Sequence, residues 1–304
     1  MMARVPSSVW AVVGAAGVIL LGVAGAMLRG YRSERYEVAL HPRTIATPAD
    51  LVAYGAESWS IPSSVGEIHG WFIPPRGGAM VLLAHGTQAD RGSMLYEIRA
   101  LLAGGHGIVA IDFPGLGEST GNVQMTDGRV VAMRAVFDSL VRRSDVDSTR
   151  IGLYGFSFGG ATVVQFAAGE PRARAIIAAG APLDYATHVR YSYRERDALF
   201  SAGALLVYCV GGRRLAAMNL TAAAKRIAPR PSLIVNGDGD LDVPPTDGDS
   251  IAALIGPSAT RWLIAGAGHG EYWNTDPSYA ARITEFFSRH LPAPEQSAAS
   301  AASP

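Results

Sequence analysis

Six short apolar runs, at residues 80–84, 108–111, 151–154, 175–179, 233–235 and 262–264, punctuate this 304-residue chain, with helix-length segments such as 130–141, 161–168 and 279–290 between several of them. Each run is too short for a buried helix and too continuously apolar for a strand with one wet face, so each reads as a strand covered on both sides. Strands of that kind alternating with helices predict an α/β fold, a mostly parallel sheet flanked by helices. The single cysteine, Cys209, excludes an internal disulfide and any multi-cysteine metal site, so the core alone must hold the fold together. No internal repeat at a fixed period is visible.

The 26 basic and 26 acidic side chains cancel, which excludes the basic footprint of a nucleic-acid-binding protein. With 49% hydrophobic and 17% charged residues the chain is more apolar than an ordinary soluble domain, and the excess lies at the front. No residue between Arg4 and Arg29 is charged. As a helix, residues 5–28 would extend about 36 Å, against about 30 Å of bilayer hydrocarbon, which predicts a single-pass N-terminal transmembrane helix. Residues 1–35 are therefore read as anchor and basic flank, with Gly14, Gly17, Gly22, Gly25 and Ala26 small enough for close helix contact. Arg29, Arg32, Arg35 and Arg43 follow the segment and favour a cytoplasmic body. The rival readings are a cleaved signal peptide with its site near Ala26, which would make the protein secreted, and a helix buried in the body. Residues 36–291 form the expected catalytic body, and the Pro/Ala/Ser-rich residues 292–304 an expected disordered tail.

Within the body, Gly155-Phe156-Ser157-Phe158-Gly159 matches G-x-S-x-G, but so does Gly117-Glu118-Ser119-Thr120-Gly121. Mechanics separate the two. A nucleophilic serine must stand on a sharp turn between strand and helix, with glycines where a side chain would clash. Ser157 follows the strand-like RIGLYG and precedes the helix-like GGATVVQFAAG. Ser119 runs into GNVQMTDG, which cannot begin a helix at once, so it reads as an ordinary turn serine.

A serine hydroxyl needs a base to take its proton and a third group to orient that base. His269, in the glycine-flanked loop after residues 262–264, is the expected base; His85, His106 and His188 fit that role less well. Asp238, Asp240 and Asp242 crowd together after residues 232–235, and Asp240 is the preferred acid, with Asp238 and then Asp184 as alternatives. A calcium loop is disfavoured because Val243 stands where the loop requires glycine and Pro244-Pro245 interrupt it, so neither a metal nor a cofactor is expected. Oxyanion stabilisation calls for aimed backbone N–H groups, and those of Phe158 and Thr87 are the candidates.

Taken in order, VLLAHG, IVAIDFPGLGEST, RIGLYGFSFGGA, LIVNGDGDLDVPP and GAGHGE resemble the strand-and-turn motifs of the α/β-hydrolase superfamily. EIHGWFIPP ahead of them is similar to the leading hairpin of its serine aminopeptidase-like and monoglyceride-lipase-like branches, some of which are membrane-anchored. The resemblance implies hydrolysis of an ester or thioester, possibly an amide, through an acyl-enzyme. It also maps the family's single acid best, though not uniquely, onto Asp240. An acyltransferase or peptidase with the same triad, and a catalytically idle binding protein with this fold, are the alternatives.

Residues 184–229 form an insertion where this fold commonly carries a lid. Its centre, residues 198–212, is uncharged and must cover something apolar. That predicts a lipophilic acyl pocket, with Leu206 and Val207 as candidate substrate contacts, for a small-molecule or lipid-like acyl substrate. Oligomeric state is left open by the sequence.

Overall fold

The computed structural model describes residues 7–37, 39, 41–122, 127–210 and 219–293. Most of the expected C-terminal tail, at 294–304, and the stretch 211–218 of the expected lid lie outside these residues. The chain opens with α1 (Ser7–Glu37), β1 (His41–Pro42) and α2 (Ala49–Ala53), then an antiparallel pair, β2 (Glu57–Ser63) and β3 (Gly66–Ile73). Next come β4 (Met80–Ala84), α3 (Leu95–Ala103), β5 (Gly107–Ile111), β6 (Leu116–Gly117) and α4 (Asp127–Leu140). The second half runs β7 (Ile151–Phe156), α5 (Phe158–Ala167), β8 (Ala173–Ala179), α6 (Tyr185–Ser192), α7 (Ala198–Val210) and α8 (Thr221–Ala224). It closes with β9 (Ser232–Gly237), α9 (Pro245–Ile255), β10 (Ala259–Ile264), α10 (Tyr272–Thr275) and α11 (Tyr279–His290).

Eight strands form one sheet in the order β10-β9-β8-β7-β4-β5-β3-β2, parallel except where β3 meets β2 and β5. The period-two alternation of a strand explains the continuous apolar runs. In β4, Met80, Leu82 and Ala84 enter the core on one face, with α4 and α5, while Val81 and Leu83 enter the other, with α3 and α11. All five are buried because both faces are covered. The chain leaves β4 toward β5 and returns on the opposite side as β7, so the switch point of the sheet lies at the C-terminal ends of β4 and β7, where open α/β sheets bind ligands.

The helix at the N-terminus is longer than the apolar segment alone. It runs on through Arg29, Arg32 and Arg35 to Glu37, and residues Val13–Tyr36 are long and apolar enough to cross a membrane by length and composition. Its two halves differ. Val18, Ile19, Leu20 and Leu21 are exposed, whereas Ala26, Gly30 and Glu34, spaced at one helical turn, are buried where α1 crosses α7. The crossing is close because both helices present glycine. A Cβ on Gly30 would come within 1.8 Å of the Phe200 carbonyl oxygen, and one on Gly203 within 1.9 Å of that of Met27.

On the α3 and α11 side of the sheet, the Glu97 carboxyl is buried beside the Tyr154 hydroxyl, 3.4 Å away, which in turn bonds Tyr279. Burial pushes the Glu97 carboxyl up to about 7. The raised value means that the protonated form is the one the fold prefers. Its contribution to stability is complete below the ordinary glutamate range near 4.5 and is lost as pH rises through about 7.

Two expectations follow. Gly203→Leu or Gly30→Leu should force α1 from α7 and cost about 2 kcal/mol, seen as a lowered Tm in detergent. Gly17→Leu, where no atom lies within 4 Å of the added Cβ, should leave Tm unchanged. Glu97→Gln should remove a pH-dependent loss of roughly 3 kcal/mol between pH 4.5 and 8, so that urea denaturation finds the variant increasingly more stable than wild type as pH rises. A constant difference across that range would contradict the burial argument.

Candidate active site

Ser157 sits between the end of β7 and the start of α5, with φ +53° and ψ −120°, a conformation that a serine adopts only at a cost of about 1–3 kcal/mol. The flanking glycines make the turn possible. A Cβ on Gly155 would lie 2.3 Å from the Gly159 carbonyl oxygen, and one on Gly159 would lie 1.9 Å from that of Ala84. The Ser157 N–H is held by the Ala179 carbonyl at 2.7 Å, which ties the turn to β8.

The other two non-glycine residues with positive φ among those described are Gln88 and Glu271. One lies in the loop that leaves β4, and the other begins α10 beside the histidine loop. All three strained positions therefore cluster at one end of the sheet, as is common where backbone is held for function.

His269 brings Nε2 to 3.0 Å from the Ser157 hydroxyl and Nδ1 to 2.7 Å from Asp240 Oδ2. Placing the ring proton on Nδ1, where the carboxylate accepts it, leaves Nε2 as an acceptor toward the serine. Asp240 is itself fixed, because its Oδ1 accepts the N–H groups of Asp242 and Val243 at 2.8 Å each and its side chain is buried. Asp240, Asp242 and His269 offer ligand atoms within 4.8 Å of one another, but both Asp240 oxygens are already committed to these hydrogen bonds.

The competing residues have other partners. Asp238 Oδ1 accepts the Gly266 N–H at 2.6 Å and so pins the turn after β10. Asp184 caps α6 by accepting the Thr187 N–H at 2.9 Å. The buried hydroxyl of Ser119 donates to the Asp112 carbonyl at 2.7 Å and accepts the His69 N–H, tying the β3 hairpin to its neighbouring turn. His106 Nε2 faces the Ser288 hydroxyl at 3.1 Å.

His85 is buried beneath the candidate oxyanion turn. Its Nε2 accepts the Phe113 N–H at 3.0 Å and its Nδ1 donates to the Gly86 carbonyl at 2.8 Å. Burial, reinforced by the Arg129 charge, drives its pKa down to about 3, so the ring remains neutral and bridges the ends of β4 and β5. That bridge sets the path of Gly86-Thr87. A Cβ on Gly86 would stand 3.3 Å from that of Ser157, and Thr87 lines the same cavity. Phe158 is the first residue of α5, where a backbone N–H has no partner within its own helix.

The cavity over Ser157 has a volume of about 620 Å³. Met94, Phe156, Val189 and Trp273 contribute apolar surface, Glu34, Asp242 and Glu271 contribute carboxylates, and Glu97 contributes its buried carboxyl. Leu206 and Val207, expected here, do not line it. The buried face of α7 carries Gly203, Ala204, Val207 and Tyr208, so Val207 packs into the core and Leu206, 40% exposed, points away from it. Cys209 is exposed as well.

Three further residues line the cavity: His188, weighed in the sequence only as a weaker base, and Tyr185 and Glu34, which the sequence does not mark. His188 hydrogen-bonds the Asp242 carbonyl through Nδ1 at 2.9 Å, and burial lowers its pKa to about 4. Tyr185 packs edge-on against Phe158 beneath the same cavity. Glu34 arrives from α1. No local motif marks any of them, since each reaches the cavity through the packing of the insertion and of the N-terminal helix.

The sequence profile of the alpha/beta hydrolase family matches residues 81–283. Over 208 residues the chain is 28% identical to the protein Rv2307c of Mycobacterium tuberculosis (strain ATCC 25618 / H37Rv), a match covering 66% of this chain and 68% of that one. Its fold is similar to that of the Pyrococcus furiosus esterase Pf2001, with a TM-score of 0.69 at 21% identity over 84% of this chain and 99% of that one. Dienelactone hydrolase from Anabaena variabilis ATCC 29413 shares the fold with a TM-score of 0.58 at 19% identity, covering 78% and 98%. Ser157, Asp240 and His269 all fall inside the matched residues, and the chain belongs to the alpha/beta hydrolase family.

Proposed function

We propose that the protein is a membrane-anchored serine hydrolase that cleaves a carboxylic ester or thioester through an acyl-enzyme on Ser157. The observation that carries this reading is the continuous hydrogen-bonded line from Ser157 through His269 to a buried Asp240. In the reaction, His269 Nε2 takes the hydroxyl proton as Ser157 Oγ attacks the carbonyl carbon, and Asp240 stabilises the imidazolium. The N–H groups of Phe158, at the start of α5, and of Thr87, in the cavity wall, donate to the oxyanion. His269 then passes its proton to the leaving alcohol or thiol. A water molecule, deprotonated by the same ring, hydrolyses the acyl-enzyme and regenerates the serine.

The cavity's size suits a small-molecule ester, and its lining divides between Met94, Val189 and Trp273 on one hand and carboxylates on the other. A lipophilic acyl group would rest on those apolar residues rather than on Leu206 and Val207.

Ser157→Ala should lower the rate on an activated ester by about a thousandfold or more and abolish labelling by a fluorophosphonate, with the fold intact by circular dichroism. Ser119→Ala should change that rate only a few-fold. Asp240→Asn should be far more damaging than Asp238→Asn or Asp184→Asn, because Asp240 alone of the three meets His269. Folded wild-type protein inert to every ester and to the probe would favour the idle binding protein instead.

The exposed apolar half of α1 supports the anchor, since Val18 to Leu21 would otherwise stand in water. We place the body on the cytoplasmic side, next to Arg29, Arg32 and Arg35, by the positive-inside rule. Fractionation should release the protein with detergent and not with high salt. Soluble protein whose N-terminus begins near Met27 would show a cleaved signal in its place.

A further inference from the structure

Glu34 is only 3% exposed, although it belongs to the N-terminal helix and stands among Arg29, Arg32 and Arg35. Its carboxylate has turned away from them into the body. Oε1 accepts the Tyr185 hydroxyl at 2.8 Å and bonds Tyr208, while Oε2 accepts the Tyr193 hydroxyl at 3.2 Å. These donors are neutral. Among the described residues no arginine, lysine or histidine nitrogen lies within ion-pair distance of Glu34. The buried guanidinium of Arg129 packs on the rings of Phe113 and Phe158 and does not line the cavity.

A carboxylate buried without a cation is costly unless something else meets its charge. The hydroxyls orient it and leave Oε2 with room for a further donor, since a carboxylate oxygen accepts two hydrogen bonds. The space beside it is the cavity that holds Ser157. That cavity is lined by carboxylates and by the rings of Tyr185, Tyr193 and Trp273, with no arginine or lysine among the described residues. Aromatic faces attract an ammonium ion, and a desolvated carboxylate attracts it more strongly. An anionic substrate would meet repulsion from the same groups.

We propose that Glu34 is a specificity-determining residue of the Ser157 cavity, selecting substrates that carry a quaternary or protonated ammonium group. The inference deepens the serine-hydrolase reading and rests on it for turnover, though not for binding. It also makes the end of the anchor helix a wall of the substrate site.

The test uses isosteric pairs that differ only in charge, with the full-length protein in detergent. Butyrylcholine is compared with 3,3-dimethylbutyl butyrate for a cationic leaving group. The p-nitrophenyl esters of 4-(trimethylammonio)butyrate and 5,5-dimethylhexanoate are compared for a cationic acyl group, each corrected for its rate with hydroxide. In wild type, kcat/KM should favour the cationic member of one pair by about tenfold or more, mainly through KM. The ratio should fall to near one in Glu34→Gln and be largely restored in Glu34→Asp, with folding checked by Tm. Ratios near or below one for both pairs in wild type would overturn the proposal, and so would a preference that survives in Glu34→Gln.

Binding to Ser157→Ala protein separates this result from the nucleophile assignment. By calorimetry, butyrylcholine should bind that protein about tenfold or more tightly than its neutral isostere, and the double variant with Glu34→Gln should lose the difference. Equal binding of the two would reject the role of Glu34. Failure of turnover in wild type with the binding preference intact would reject only the role of Ser157.

Discussion

No side chain fits between the start of α5 and the end of β4. Gly159 lies so close to the carbonyls of Ala84 and His85 that a single added carbon would overlap both, and Gly155 meets the first turn of α5 in the same way. This contact lets β7 end in a turn tight enough to lift Ser157 clear of the sheet. It also brings the β4 exit, with Gly86 and Thr87, against the serine. The neutral ring of His85 then fixes that exit from below by joining Phe113 to Gly86. The histidine and acid loops are positioned by β9 and β10, whose full parallel pairing brings the two loops together at the same end of the sheet.

Much of this was legible because it depends on local rules. Continuous apolarity marks the six runs as strands covered on both faces, and each is found within β4, β5, β7, β8, β9 or β10. At the edge strand β10, however, Leu263 is 48% exposed and that run is covered on one face only. The two G-x-S-x-G copies were separable because only one has a helix ready to follow it, and Ser119 does serve as a turn serine bonded to Asp112 and His69. The aspartate cluster was harder. Spacing alone leaves Asp238 and Asp240 equivalent, and the distinction lies in the turn, where Asp238 faces Gly266 and Asp240 faces His269.

The cap was misread for a physical reason. The stretch 198–210 is uncharged on every face, so its periodicity does not indicate which side is buried. Leu206 and Val207 stand near its centre, which is why the sequence points to them as pocket residues. The decisive marks were instead its smallest and its most polar members, Gly203, which admits α1, and Tyr208, which reaches Glu34. Such partners are far apart in sequence, and a one-dimensional pattern contains no signal that joins them.

That union changes what the N-terminal helix is for. A helix that only tethered the body would need no buried residue beyond the membrane and would tolerate a flexible link. Here the helix continues without interruption into Ala26, Gly30 and Glu34, and these form one side of the packing of α7. The helix α7, and with it α6, which lines the cavity over Ser157, is thereby packed against a helix whose other half is apolar and exposed. If that half lies in a bilayer, the same continuous helix joins the membrane to the packing beside the cavity, with no flexible linker between them. Separating α7 from α1 would expose the glycine contact and break the Tyr208 bond to Glu34 together, so the two helices are coupled through the packing at Gly30 and Gly203.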